Sequence, residues 1–149
     1  MPTYPVLSTQ VIGQAESALG AILGPLLAPT GTTFDQWLVL TITAASGSVI
    51  DRDQLIARIT GARKLPASQV ETAIAELAAD GLLEPVPGDD DHLRVALTEG
   101  GQARFGQIRG ALEGVTARLF GDLPPEDLAT AGRVLTIVTA RAHAELIRG

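Results

Sequence analysis

The side chains of this chain that can do chemistry on another molecule are cations and short hydrogen-bonding groups, gathered in its middle third. Arg52, Arg58, Arg63 and Lys64 form a basic cluster, and Arg94 stands apart from it. Such groups either hold phosphates, which positions a protein on a polyanion without reading its sequence, or are ordinary solvated surface. Next in the chain, Ser68, Gln69 and Thr72 offer two hydroxyls and a carboxamide that can hydrogen-bond base edges, and Ala75 and Ala79 can meet a thymine methyl. Other chemistries find little support. With no cysteine, disulfides, thiolate zinc sites and thiol-based sensing are excluded. The two histidines, His92 and His143, are too far apart in sequence to suggest a metal pair, and Asp89, Asp90 and Asp91 beside His92 read as a solvated turn. No metal or cofactor is assigned. No nucleophile, phosphate loop or paired-carboxylate spacing stands out, so enzyme activity has no positive support.

The elements that must carry these residues follow from apolar spacing. Val70, Ala73, Ile74, Leu77 and Ala78 recur at i, i+3, i+4, i+7 and i+8, giving a helix with one core face; Ser68 and Glu71 have capping-box spacing at its start, and Gly81 suits a left-handed stop. The opposite face then holds Ser68, Thr72, Ala75 and Ala79, bordered by Gln69, Glu71 and Glu76. Leu82 to Val86 and Leu93 to Leu97 are rich in β-branched and aliphatic residues, with Pro87, Gly88 and three aspartates between them, and read as a hairpin. Upstream, Thr33 and Gln36 open a helix to about Ala45. Val49-Ile50 is a short strand, and Asp51 with Gln54 opens a helix to about Thr60 that leaves Arg63 and Lys64 in the following loop. A helix, a second helix and a hairpin in this order outline a winged helix.

Apolar helices flank that lobe. Ile12, Ala15, Leu19, Ile22, Leu23 and Leu26 keep helical spacing with few charges around the cylinder, which predicts a helix buried on more than one side; Gly24-Pro25 should kink or restart it. Phe105, Ile108, Leu112, Val115 and Leu119 form a coiled-coil-like seam on a helix from Thr98 to Leu119. Gly106, Gly110 and Gly114 line up on its other side, either as compositional bias or as a smooth stripe that lets a helix or a flat ligand approach. Leu128, Ala131, Leu135, Val138, Ala142 and Leu146 continue a seam after Pro125. At 149 residues the chain is one domain's worth. No apolar run of membrane-spanning length and no secretory signal is read from it, so a soluble, cytoplasmic protein is expected. The formal charge is −6, and between Ser46 and Gly101 five basic residues face ten acidic ones, so the acidity is concentrated in the winged lobe.

The run from the helix through Gly-Leu-Leu-Glu, an aspartate-bearing tip and Leu-Thr-Glu-Gly-Gly resembles the second half of the DNA-binding domain of MarR-type transcriptional regulators. Phe34-Asp35-Gln36-Trp37-Leu38-Val39-Leu40 looks like that family's second helix. The resemblance implies a mainly α fold with a small antiparallel β wing: a winged helix-turn-helix lobe over 33–97, between dimerisation helices over 8–29 and 98–149. It implies a homodimer on a double-stranded DNA operator, with Ser68, Gln69 and Thr72 at bases and Arg52, Arg58, Arg63, Lys64 and Arg94 at phosphates. It also implies a pocket for a small lipophilic or aromatic ligand near Phe34, Trp37 and the first helix, drawing on Leu19 and Leu23 with Gly106 and Gly110 opposite. Trp37, the only tryptophan, reads from its residue type first as a core anchor and second as a pocket wall. The wing departs from the family's Asp-x-Arg, since Asp91 stands where the arginine is expected. That leaves open an alternative, a MarR-fold protein that has lost DNA binding and uses its dimer cavity as a ligand carrier, partner-binding module or repurposed enzyme.

Overall fold

The computed structural model describes residues 3–88 and 92–149. The Asp89, Asp90 and Asp91 tip lies outside the described residues. Contacts group the chain into one unit that ends at Leu112 and a second, Glu113–Gly149.

In the first unit, each helix start or stop is fixed by a local hydrogen bond. Ser8 caps α1 (Thr9–Leu27) by accepting from the Val11 amide at 3.3 Å. Thr33 and Gln36 form the reciprocal capping box of α2 (Phe34–Ala45), at 3.1 and 3.2 Å. The strand β1 (Val49–Asp51) runs straight into α3 (Arg52–Arg63), whose first turn is closed by Asp51 accepting from the Gln54 amide at 3.1 Å. α3 continues past the expected stop at Thr60. It takes in Arg63 and ends on Lys64 in the left-handed conformation at φ 58°.

α4 (Ala67–Ala79) differs from expectation at its start. Its N-cap is Pro66, no side chain caps it, and Ser68 lies inside the first turn. Proline disfavours helix in the residue before it, so Leu65 cannot be helical; Pro66 itself is extended (φ −64°, ψ 145°), and its carbonyl accepts from the Gln69 amide at 3.0 Å, which places Ser68 inside the first turn. The stop is as read: Gly81 has φ 76°, and the Leu82 and Gly81 amides return to the Leu77 and Ala78 carbonyls. That closure uses Leu82, so β2 (Leu83–Pro87) starts one residue later than expected. β2 and β1 flank β3 (Leu93–Leu97) in an antiparallel sheet of order β1-β3-β2, with Asp51 opposite Arg94 and Leu83 opposite Leu97.

α5 (Glu99–Phe120) is started by Thr98, whose hydroxyl donates to the Gly81 carbonyl at 2.6 Å and accepts from the Gly101 amide at 3.0 Å. The core gathers Leu40 of α2, Leu55 and Ile59 of α3, Leu77 of α4, Val95 of β3 and Ile108 of α5, all buried. Phe105 and Leu112 pack against it half-buried.

α1 runs through Pro25 without restarting, and within the single chain it buries only Leu27, against the expected burial on more than one side. Together with the short 3-10 turn Ala28–Thr30, the 22 residues Thr9–Thr30 are also long and apolar enough, by length and composition, to cross a bilayer. The expected absence of such a run is therefore wrong: Val11, Ile12, Leu19, Ile22, Leu23, Leu26 and Leu27 carry the hydropathy, and Glu16 is the only charged residue in the stretch. In the second unit, α6 (Pro125–Arg148) opens on Pro125 and buries none of its residues.

Candidate nucleic-acid interface

α3, the turn Lys64–Pro66 and α4 make a helix-turn-helix, and the core stripe of α4 decides what its other side shows. Val70, Ala73, Ile74 and Leu77 are buried. Ser68, Gln69, Glu71, Thr72, Ala75 and Ala79 are exposed, so the three proposed base-reading residues share the solvent face. Thr72 donates back to the Ser68 carbonyl at 2.9 Å, which leaves its oxygen as an acceptor. Gln69 is held: its side-chain nitrogen donates to Asp35 of α2 at 2.8 Å. Glu76, itself exposed, accepts from the side-chain amide of buried Gln36 at 3.2 Å.

The five cations are spread over three surroundings. Arg52 is half-buried at the start of α3. Arg58 donates to the Ser46 hydroxyl at 3.1 Å, and Arg94 lies exposed on β3 opposite Asp51. Arg63 reaches back to α1, pairing with Glu16 at 3.4 Å, with its guanidinium 5.0 Å from the ring centre of Phe34. Lys64 donates to the Gly61 carbonyl at 2.7 Å. Both members of the Arg63–Glu16 pair are substantially exposed, so the pair is worth under about 1 kcal/mol and a phosphate can displace it. Near the wing root, Ser46, Val49, Ile50, Asp51, Gln54, His92 and Arg94 line an open cleft of about 500 Å³. Only the β1–β3 register brings these residues together, which is why their spacing gave no sign of it.

The proposed ligand residues divide. Trp37 is 7% exposed and stacks on Phe105 at 5.4 Å between ring centres, which gives it the core-anchor role. Leu23 is half-buried against the core, whereas Phe34 and Leu19 are 39% and 45% exposed. Gly106 and Gly110 are exposed, with open space where a Cβ would stand. One turn beyond Trp37, the hydroxyl of Thr41 is buried and lacks a hydrogen-bond partner among the described residues. Sequence reasoning missed Asp35, Gln36 and Glu76 as partners of one another's helices. Their separations of 34 and 40 residues carry no periodic signal.

A helix-turn-helix with an exposed second helix, followed by a β hairpin and bracketed by long helices, defines a winged-helix fold. No family model and no curated protein sequence matches the chain. Solved structures do. The transcriptional regulator PA4135 is 26% identical, with 92% of this chain and 98% of that one covered, at a TM-score of 0.73. NadR in complex with 4-hydroxyphenylacetate is 20% identical, covering 93% and 98%, also at 0.73. A MarR variant from E. coli complexed with operator DNA is 20% identical, covering 87% and 91%, at 0.69. The chain has the MarR-type winged-helix fold.

Proposed function

We propose that the chain is a ligand-responsive, DNA-binding transcriptional regulator of the MarR type, acting as a cytoplasmic homodimer. The observation that carries this is the exposed face of α4: Ser68, Gln69 and Thr72 stand together on the second helix of a helix-turn-helix, with cations before it and on β3. In this arrangement α4 enters the major groove, and Arg52, Arg58, Arg63, Lys64 and Arg94 take flanking phosphates. The terminal helices pair with those of a second copy, which accounts for the apolar faces that one copy leaves exposed on α1 and α6. The test is to incubate the dimer with a random duplex pool at low salt and sequence what is retained. A two-fold-symmetric motif is expected, bound about tenfold or more weakly by an R63A/K64A variant and with a steep salt dependence. A folded dimer that enriches no sequence rules the reading out.

The second reading keeps the dimer and a ligand but no operator. It is favoured by the ten acidic residues between Ser46 and Gly101 and by an α4 without a single Lys or Arg. Under either reading the ligand lies along α2 near Phe34 and Trp37, where the unpaired Thr41 hydroxyl supplies a polar contact in an apolar setting. The NadR complex suggests small aromatic carboxylates as the first compounds to try. A ligand should raise the melting temperature, a shift that Trp37→Ala removes and Thr41→Val reduces. An undiminished shift in both variants would place the ligand elsewhere.

A further inference from the structure

Gln69 is hydrogen-bonded to a group that can only accept. The Asp35 carboxylate takes the side-chain amide at 2.8 Å, so the nitrogen of Gln69 must face Asp35, whichever way an isolated amide would turn. Asp35 is half-buried in the first turn of α2, next in the chain to a Gln36 side chain that accepts from the Thr33 amide and donates to Glu76. A carboxamide nitrogen has two hydrogens, one on the same side as the oxygen and one on the far side. If the far hydrogen goes to Asp35, the remaining N–H and Oε1 project side by side from the exposed face of α4. One donor beside one acceptor matches adenine, which presents N7 and the N6 amino group in the major groove. Guanine presents two acceptors there, N7 and O6, and the outward Oε1 meets one of them with repulsion. Freed from Asp35, the amide can flip and offer its NH₂ group to guanine as well.

We infer that Asp35 is a positioning residue for base recognition, fixing Gln69 so that it selects adenine over guanine in each half-site. The inference rests on the DNA-binding reading above. It extends that reading to a residue on another helix that touches no base.

The experiment is selection from a random duplex pool with the full-length dimer, comparing wild type with D35A, D35N, Q69A and the D35A/Q69A double variant, each first shown to melt cooperatively. Wild type should enrich adenine at one position per half-site. Q69A should lose that preference, and D35A should lower it about tenfold at the same position, within the range of one bidentate contact. D35N retains an accepting oxygen and should keep most of it, and the double variant should be no worse than Q69A. Should D35A fail to fold, Asp35→Leu removes the acceptor without leaving a void. A D35A profile with adenine preserved, altered at a different position, or unchanged in shape but tighter for every sequence would overturn the inference and leave DNA binding standing. A wild-type protein that enriches no motif defeats the DNA-binding reading, and this inference with it.

Discussion

Thr98 and Gly101 join the end of α4 to the start of α5 through two side-chain hydrogen bonds and one close approach. A Cβ on Gly101 would collide with the Leu82 carbonyl, a backbone atom already fixed by its bond from the Thr98 amide. Gly101→Ala should therefore destabilise the protein by about 1–3 kcal/mol, the range for overpacking a site that cannot yield, whereas Gly100→Ala, whose Cβ meets only ordinary contacts, should be near neutral. Thermal or urea melts of the two variants distinguish the positions. The Leu-Thr-Glu-Gly-Gly run is legible in the sequence as a resemblance, but its physical reason is not. The reason lies in a carbonyl that arrives at Gly101 through the turn after α4, from 19 residues earlier in the chain. Trp37 was legible only as a choice between core and pocket wall; burial against Phe105 gives it the first role and leaves the second to a ligand experiment.

At the scale of elements, what was legible is what is local. The capping box on α2, the left-handed stop on α4 and the full extent of β3 all depend on residues within a few positions of each other, and each stands as read. Thr33→Ala should cost about 1 kcal/mol, because it removes an N-cap. The Gln36 side chain that α2 extends to Glu76 of α4 is held by the Thr33 backbone N–H, which alanine keeps, so hydrogen exchange should quicken at the α2 start and stay unchanged in α4. Acceleration in α4 as well would mean that the cap itself couples the two helices. The readings that moved are those where neighbours compete. Ser68 looked like a cap until Pro66 fixed the start of α4, and Arg63 looked like a loop residue until α3 ran on to it. That second change matters for the site, since on the last turn of a helix Arg63 is directed at Glu16 and Phe34 instead of hanging free.

Across the whole molecule, the terminal helices hold more apolar surface than one copy uses. α1 buries Leu27 alone, and on α6 Leu128, Leu135 and Val138 are 38%, 38% and 40% exposed although they keep a seam's spacing. The seams were legible from periodicity, but what covers them was not, because a heptad-like stripe does not say which chain supplies its partner. Under the proposed homodimer, Leu135→Glu with Val138→Glu should give a monomer in sedimentation while the winged lobe keeps its melting transition; a dimer that survives both charges would remove α6 from the interface. The lobe's acidity has its own signature. With five cations in the winged lobe of each copy to exchange for counterions, the slope of log K against log salt should stay within about −4 to −5 per protomer. A last consequence belongs to Asp35, Gln36 and Trp37, three successive residues whose side chains go to Gln69, to Glu76 and to Phe105. Under the proposed function, the residue that would meet an effector and the residue that would position a base reader stand two apart on the first turn of one helix, so a shift of that turn selected for a new effector would reach operator preference too.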